Sequence, residues 1–216
     1  MEAYKFAIND FSGCFSFVKS ITELKSHHFP LLVEYLKTRY SITTVNIRLR
    51  GIRTFLNYLL GKEYINKLPF KIKQIKTDRA EPKLITPQEL DRIYSVVDDE
   101  ILLSAFKVYE VTGMRLGELA NSYRDGAFIV ITKSKGRKRR IVPIPTESIP
   151  DYDRVKCSGY SRSWVTRSFT RYCKLAGVSG KTLHSLRHTF AYRKLLETNN
   201  IQLVRDLLGH SSVMVT

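Results

Sequence analysis

Apolar residues recur at helical spacing through the first third of the chain. Segment 30–40 (PLLVEYLKTRY) predicts one helix, and Thr43 or Thr44 can cap the next one. One face of this second helix carries the apolar residues Val45, Leu49, Ile52, Leu56 and Leu59. The other face carries the basic residues Arg48, Arg50, Arg53 and Lys62. The pattern indicates a small helical domain with one buried stripe and one basic stripe.

A polar and charged segment, KIKQIKTDRAEPK (71–83), then interrupts the apolar pattern. It has few large apolar residues and a proline near its end, which is typical of an interdomain linker. Directly after it, Thr86 can cap a helix in which Pro87 takes the first position and Glu89 completes a capping box. We therefore expect a helical domain over 1–76, a linker over 77–85 and a second domain over 86–216.

The second domain combines helical periodicity with two strand-like segments. Segment 101–112 is mostly apolar and predicts a buried helix that Gly113 stops. FIVIT (128–132) and RRIVPIP (139–145) predict two strands joined by a turn, the second at a sheet edge because of its prolines. Further helices are expected at 163–175, with Trp164, Phe169, Tyr172 and Leu175 inward, at 183–197 after the cap Thr182, and at 201–208 before Gly209. The chain should be mainly α with a small antiparallel β-hairpin or sheet, its second domain being of the α+β class.

Charge indicates the kind of partner. The 216 residues include 36 Lys and Arg against 20 Asp and Glu, a net charge of +16. The usual counterpart of such a charge is a nucleic-acid backbone, whose phosphates the cations neutralise. An anionic membrane would call for a basic amphipathic helix or a lipidation signal, and the sequence shows neither. RNA binding stays open on charge alone, and the basic helix face is equally compatible with DNA contact and with simple solvation.

Composition excludes several other classes of protein. No stretch is long and apolar enough to span a membrane, and the N-terminus has no apolar run of the secretory kind. We therefore expect a cytoplasmic protein, nucleoid-associated when bound to DNA. The cysteines, Cys14, Cys157 and Cys173, lie far apart without metal-ligand spacing. Neither a zinc site nor a disulfide framework is indicated, and reduced side chains in or near the core are expected.

Four short segments carry residues suited to chemistry on a phosphodiester. TGMRLGEL (112–119) places Arg115 just past a glycine helix stop, and TKSKGRKRRIVPIP (132–145) places lysines in a hairpin turn. LHSLRHTF (183–190) contains H-x-x-R, and LLGHSS (207–212) places His210 after another glycine stop. Cleavage of DNA without a metal requires stabilisation of negative charge on the non-bridging oxygens, which planar, permanently charged guanidinium groups provide. Arg115 and Arg187 are the candidates, and His184 shares a helix face with Arg187.

The order Arg, Lys, H-x-x-R, G-H resembles the catalytic domain of the tyrosine recombinases, which include phage integrases and Xer-type enzymes. The resemblance covers residues 84–216, and the N-terminal helices fit that family's DNA-clamping core-binding domain more loosely. It implies a site-specific recombinase or integrase that cuts and rejoins double-stranded DNA through a 3′-phosphotyrosine, with no cofactor and no metal. It also implies a homotetramer on DNA for the full-length form, whereas this chain alone is expected to be a monomer.

The same resemblance assigns roles to individual residues. It makes Arg115, Lys135, His184, Arg187 and His210 the catalytic set, with Lys135 as the general acid by its match to the hairpin pattern K-G-x-K-x-R. Lys133 and Lys138 are rivals for that role. Lys133, Lys138 and the basic run from Lys135 to Arg140 can also be a phosphate-contact patch or a localisation signal. The hairpin residues expected to contact DNA are Lys133, Arg137, Lys138 and Arg139. Glu118 is expected to orient Arg115 or to cap a neighbour, and His188 is expected to be structural.

The family's nucleophilic tyrosine follows the histidine of the LGH motif after about nine residues. Here the sequence runs from His210 to Thr216, so the tyrosine is expected just after Thr216. Truncation inside a recognisable motif is the favoured explanation, and a product that lacks its nucleophile is the other. Tyr192 lies one turn past Arg187, where an aromatic is more often part of the core. Two alternatives remain: a non-catalytic DNA-binding regulator with this fold, and an enzyme similar to type IB topoisomerases.

Overall fold

A computed structural model describes residues 2–77, 81–132 and 139–209, and within them no helix is both long and apolar enough to cross a membrane. The chain divides into two compact units, residues 1–80 and 81–216, called here the N-terminal and the C-terminal unit. The division falls inside the segment expected to be a linker. Each unit has a hydrophobic core of its own.

The described residues of the N-terminal unit form three α-helices: α1 (Glu2–Cys14), α2 (His28–Lys37) and α3 (Ile42–Gly61). The predicted apolar stripe of α3 is confirmed, because Val45, Leu49, Ile52 and Leu56 are all buried. The predicted cap is wrong. Ser41, in extended conformation, is the N-cap, and Thr44 lies inside the first turn with its hydroxyl 3.1 Å from that of Ser41. Because all of these residue types can cap a helix, the sequence pattern did not fix the first turn.

In the C-terminal unit, residues 81–132 and 139–209 form six α-helices: α4 (Pro87–Ser95), α5 (Glu100–Thr112), α6 (Ile149–Cys157), α7 (Arg162–Leu175), α8 (Leu183–Thr198) and α9 (Ile201–Leu208). Helix α5 is central and packs against α6, α7 and α8. Its Phe106 is fully buried and meets Phe169 of α7 edge-on. The expectation that Leu175 faces inward is wrong, since this last residue of α7 lies at the edge of the buried stripe and is 64% exposed.

Among the described residues, the sheet has three antiparallel strands in the order β1 (Ser122–Asp125), β2 (Phe128–Ile131) and β3 (Arg140–Pro143). The prediction of a mainly α fold with a small antiparallel sheet is confirmed, and β3 is an edge strand as its prolines indicated. The sequence pattern missed β1, because the segment SYRD is polar and only Ser122 in it is buried. One face of the sheet packs against the core through Ile129, Ile131 and Val142.

Candidate active site

Three of the residues singled out in the sequence line one cleft of about 370 Å³ in the C-terminal unit. Arg115 comes from the loop after α5, and His184 and Arg187 come from the start of α8. The remaining lining residues are Tyr109, Met114, Leu116, Thr166, Thr182 and Leu183. Segments far apart in the sequence therefore meet at one place, although each motif taken alone was only a short local pattern.

A glycine turn directs the chain from α5 into this cleft. Gly113 ends α5 in the left-handed conformation, with φ of +57°. A Cβ at this position would lie 2.3 Å from a ring carbon of Phe190 in α8, far inside van der Waals contact. Only glycine fits both the backbone conformation and the close approach of α8. The Gly113 turn therefore sets where Arg115 emerges relative to Arg187.

The guanidinium groups of Arg115 and Arg187 meet at one backbone carbonyl. The buried Arg187 donates from Nη2 to the carbonyl oxygen of Leu208 at 2.6 Å and from Nη1 to that of Gly113 at 2.5 Å. Arg115 donates from Nη1 to the same Leu208 oxygen at 3.3 Å. Carbonyl groups at the C-terminal end of a helix carry partial negative charge, which offsets the repulsion between two neighbouring cations. The end of α9 thus holds both arginines side by side.

A buried carboxylate, that of Glu118, holds Arg115 from the other side. Its Oε2 accepts from the backbone N–H of Arg115 at 2.7 Å, and its Oε1 accepts from Nη1 of Arg115 at 2.9 Å. Burial alone raises the pKa of this carboxyl, but hydrogen bonds from Arg140 and from the Arg115 backbone outweigh burial and lower the pKa to about 2. Glu118 is therefore ionised at any physiological pH and can orient Arg115, the first of the two roles expected for it.

Arg140, the last residue of the hairpin pattern K-G-x-K-x-R, is a member of this network, a role that the sequence did not indicate. Its guanidinium forms a two-pronged contact with Glu118, from Nη1 to Oε1 at 2.9 Å and from Nη2 to Oε2 at 2.5 Å. Its Nε donates to the carbonyl oxygen of Leu207 at 2.9 Å. The signal that could have found it is the alternation in β3, where Arg140 shares the buried face with Val142. An arginine on the inward face of a strand requires a partner that satisfies its charge.

His184 faces the cleft next to a second histidine on the same helix. The rings of His184 and His188 pack edge-on with their centroids 4.6 Å apart. Burial lowers the pKa of His184, and the neighbouring His188, Arg187 and Arg115 lower it further. His184 is thus neutral at pH 7 and can accept a proton or a hydrogen bond from a group in the cleft.

The basic residues expected to contact DNA differ in their surroundings. Arg50 and Arg53 are exposed on α3, and Arg139 is exposed beside the sheet, donating from Nη2 to the Tyr123 hydroxyl at 2.9 Å. Arg48 is not part of the expected exposed face. Its side chain is 13% exposed, its Nε lies 2.9 Å from Oδ2 of Asp10, and its guanidinium packs 5.1 Å from the ring centroids of Phe6 and Tyr40. Five further residues named above lie outside the described part of the chain: Lys133, Lys135, Arg137, Lys138 and His210.

Comparisons with known proteins agree with this picture. The profile of the phage integrase family matches residues 153–216. A tyrosine recombinase of Pseudothermotoga lettingae is 28% identical over 92% of this chain and 77% of its own length. The tyrosine recombinase XerC of Thermodesulfovibrio yellowstonii is 26% identical over 100% of this chain and 83% of its own length.

A solved structure extends the similarity to the fold. The structure of the XerH site-specific recombinase in a post-cleavage complex with palindromic difH substrate superposes with a TM-score of 0.78. It is 17% identical in sequence, and the match covers 99% of this chain and 74% of that one. The matched profile, the similarity to tyrosine recombinases over most of both sequences and the shared fold confirm the resemblance of this chain to the tyrosine recombinase family.

Proposed function

We propose that this chain supplies the DNA-binding surface and the phosphate-activating residues of a site-specific recombinase that cuts and rejoins DNA through a 3′-phosphotyrosyl intermediate. The observation that supports this most strongly is the convergence of Arg115, His184 and Arg187 on one cleft. Two adjacent guanidinium groups match the two non-bridging oxygens of a phosphodiester. They stabilise those oxygens more strongly as negative charge develops in the phosphorane-like transition state.

The remaining steps of the proposed reaction are those that the resemblance to tyrosine recombinases implies. A tyrosine oxygen attacks phosphorus, the bond to the 5′ oxygen breaks, and the leaving oxygen takes a proton from Lys135. Lys135 is assigned by resemblance, with Lys133 and Lys138 as rivals. His184, neutral at pH 7, assists by proton transfer or by a hydrogen bond to the phosphate, and His210 contributes another hydrogen bond. Attack by a 5′ hydroxyl of the partner strand then reverses the chemistry and releases the tyrosine.

Double-stranded DNA is the partner we infer for both units. The net charge of +16 and the exposed Arg50, Arg53 and Arg139 provide for phosphate contacts. The structurally similar XerH is described in complex with difH substrate, which supports the same class of partner here. We propose residues 1–76 as the core-binding domain and residues 86–216 as the catalytic domain. The full-length form would act as a homotetramer on DNA, and residues 1–216 alone would be monomeric.

The nucleophile is proposed to follow Thr216, so that residues 1–216 bind DNA without cutting it. One tyrosine, Tyr109, does line the cleft, but it is poorly suited to attack. Its hydroxyl donates to the carbonyl oxygen of Leu116 at 3.1 Å and lies 2.5 Å from the hydroxyl of Tyr160. Burial raises the pKa of Tyr109 far above its ordinary value, and the contact with Tyr160 raises it further. A phenol held in this way neither ionises readily nor turns toward a phosphate.

A nicked suicide duplex on a denaturing gel tests the proposal. Residues 1–216 should bind the duplex in a salt-dependent manner and form no covalent adduct, whereas the full-length gene product should form one. An adduct formed by residues 1–216 would contradict the placement of the nucleophile. Binding without any adduct from the full-length product would favour the non-catalytic regulator. Relaxation of supercoiled DNA without sequence preference would favour the topoisomerase-like enzyme.

A further inference from the structure

Arg140 joins three segments whose side chains the proposed reaction needs. It lies on β3, the strand that follows the lysine-bearing hairpin in sequence. Its two Nη atoms bind Glu118, which holds the backbone and the side chain of Arg115. Its Nε binds the carbonyl oxygen of Leu207, next to the Leu208 carbonyl that both cleft arginines share. The side chain is buried at 8% exposure and does not line the cleft.

We propose that Arg140 is a positioning residue for strand cleavage, which acts by fixing Arg115 through Glu118 and by fixing the end of α9 through Leu207. The proposal rests on the proposed function. Arg140 touches no substrate in this scheme. Its effect reaches the phosphate only through the direction in which Arg115 points and through the position of the Leu208 carbonyl.

The geometry requires an arginine at this position. Three donors of one planar group point to two partners on different segments, and a lysine ammonium cannot span both in that arrangement. An apolar side chain would leave the buried Glu118 carboxylate with Arg115 as its one remaining guanidinium partner among the contacts described here. That carboxylate would then pair with Arg115 alone and change its position. Alternatively, the carboxylate would take up a proton and lose its ionic contact with Arg115.

The turn after α9 is built closely around the same guanidinium. Gly209 adopts the left-handed conformation with φ of +61°. A Cβ on Gly209 would lie 3.0 Å from both Cδ and Nη1 of Arg140. The chain thus passes Arg140 so closely that a side chain here would require the guanidinium to shift, immediately before His210 in the sequence. Arg140 therefore fixes the starting point of the segment that carries the family's second histidine motif.

A purely stabilising ion pair is the competing explanation, and a matched control separates the two. Arg193 binds Glu110 in the same unit, from Nη1 to Oε1 at 2.7 Å, and neither residue lines the cleft. In the full-length gene product, Arg140→Gln and Arg140→Lys should slow adduct formation on the suicide duplex by about 100-fold, the cost typical of a misplaced reacting group. Duplex affinity should change less than about threefold, because Arg140 is buried and contacts no phosphate in this scheme. Arg193→Gln should lower thermal stability and leave the rate unchanged.

The pH profile provides a readout that a stabilising role would not change. Without the hydrogen bonds from Arg140, the pKa of Glu118 should rise above about 2, because burial is then opposed mainly by the donors of Arg115. As the pH is lowered, the Arg140→Gln variant should therefore lose further activity at a higher pH than the wild-type protein does. An unchanged rate and pH profile in Arg140→Gln, or an equal loss of rate in Arg193→Gln, would overturn the proposal.

A second measurement keeps this inference separate from the proposed function. In residues 1–216, carboxyl NMR of Glu118 and guanidinium NMR of Arg115 report the same network without any cleavage. Arg140→Gln should raise the pKa of Glu118 and shift the Arg115 signals, and Arg193→Gln should change neither. Absence of an adduct from the wild-type full-length protein would contradict the proposed function. Unchanged NMR signals of Glu118 and Arg115 in Arg140→Gln would contradict the positioning role of Arg140, whatever the outcome of the cleavage assay.

Discussion

Arg48 in the N-terminal unit and Arg140 in the C-terminal unit both pair with a carboxylate inside the protein. Arg48 lies against Asp10 between two aromatic rings of its own helical unit. Arg140 lies against Glu118, and Glu118 also holds Arg115 in the cleft. In the sequence both arginines belong to basic runs that suggest phosphate contacts. The pairs use the same chemistry, but only the second is connected to a residue that the proposed reaction needs.

This difference separates two consequences of a buried ion pair. Removal of one partner from either pair leaves an uncompensated charge and should destabilise the unit that contains it. Removal of a partner from the Glu118 pair should in addition alter the chemistry, since Arg115 depends on the same carboxylate.

Arg187→Ala in the full-length gene product should slow adduct formation by about 1,000-fold or more, because it removes a positive charge that stabilises the transition state. A factor of that size corresponds to about 4 kcal/mol of transition-state stabilisation. Affinity for duplex should fall little, since Arg187 would touch one phosphate among many. Single-turnover cleavage and equilibrium binding on the same duplex check the two parts, and a variant that loses both equally would show that Arg187 serves binding or folding.

Glu118→Gln should cost about 3–5 kcal/mol of unfolding free energy, because it leaves Arg140 buried without its charge partner. Asp10→Asn should cost less, about 1–3 kcal/mol, since its carboxylate is slightly more exposed and has fewer donors. Urea denaturation gives both values. If Asp10→Asn slowed cleavage in the full-length protein as much as Glu118→Gln does, the Arg48–Asp10 and Arg140–Glu118 pairs would not differ in their effect on the reaction.

Glu118 should also give stability a particular pH dependence. Its pKa in the folded protein is lowered from 4.5 to about 2. Its ionised form therefore stabilises the fold above pH 4.5, and this contribution disappears as the pH falls toward 2. The full difference is about 3 kcal/mol. Acid titration of the urea midpoint should show this loss in the wild-type protein and a clearly smaller one in Glu118→Gln; identical curves would show that Glu118 does not carry the effect.

The smallest effect is expected on the exposed basic face of α3. Arg50→Gln or Arg53→Gln should weaken duplex binding modestly and lower the slope of log affinity against log salt by about one. Arg48→Gln should reduce stability and leave that slope unchanged, because its guanidinium is already neutralised by Asp10. Binding isotherms at several salt concentrations distinguish the two kinds of arginine. Equal salt slopes for Arg48→Gln and Arg50→Gln would show that Arg48 contacts DNA as Arg50 does.

The features that the sequence predicted well depend on local chemistry. Thr86 with Pro87 and Glu89 forms the expected capping box, and Gly113 ends α5 at the expected residue in left-handed conformation. Gly209 ends α9 in the same way. Such signals are contained within a few neighbouring residues, so no knowledge of the tertiary fold is needed to interpret them.

Features that depend on distant partners could not be predicted in this way. Arg48 and Arg140 have the sequence surroundings of surface cations, and their burial becomes evident only when Asp10 and Glu118 are brought beside them. Tyr192, expected in the core because it follows Arg187 by one turn, is 49% exposed. Cys157, expected in or near the core, is exposed as well. These outcomes are set by which helices and strands pack together, which no local pattern specifies.

In the proposed reaction, Arg115 and Arg187 stabilise negative charge on the scissile phosphate. A suicide duplex with a neutral methylphosphonate at the scissile position tests it most directly, because one charged non-bridging oxygen is replaced by a methyl group. The account predicts that the rate lost by Arg187→Ala relative to the wild-type full-length protein shrinks markedly on the neutral duplex, since little charge is left to stabilise. An equally large loss on the charged and the neutral duplex would contradict the account.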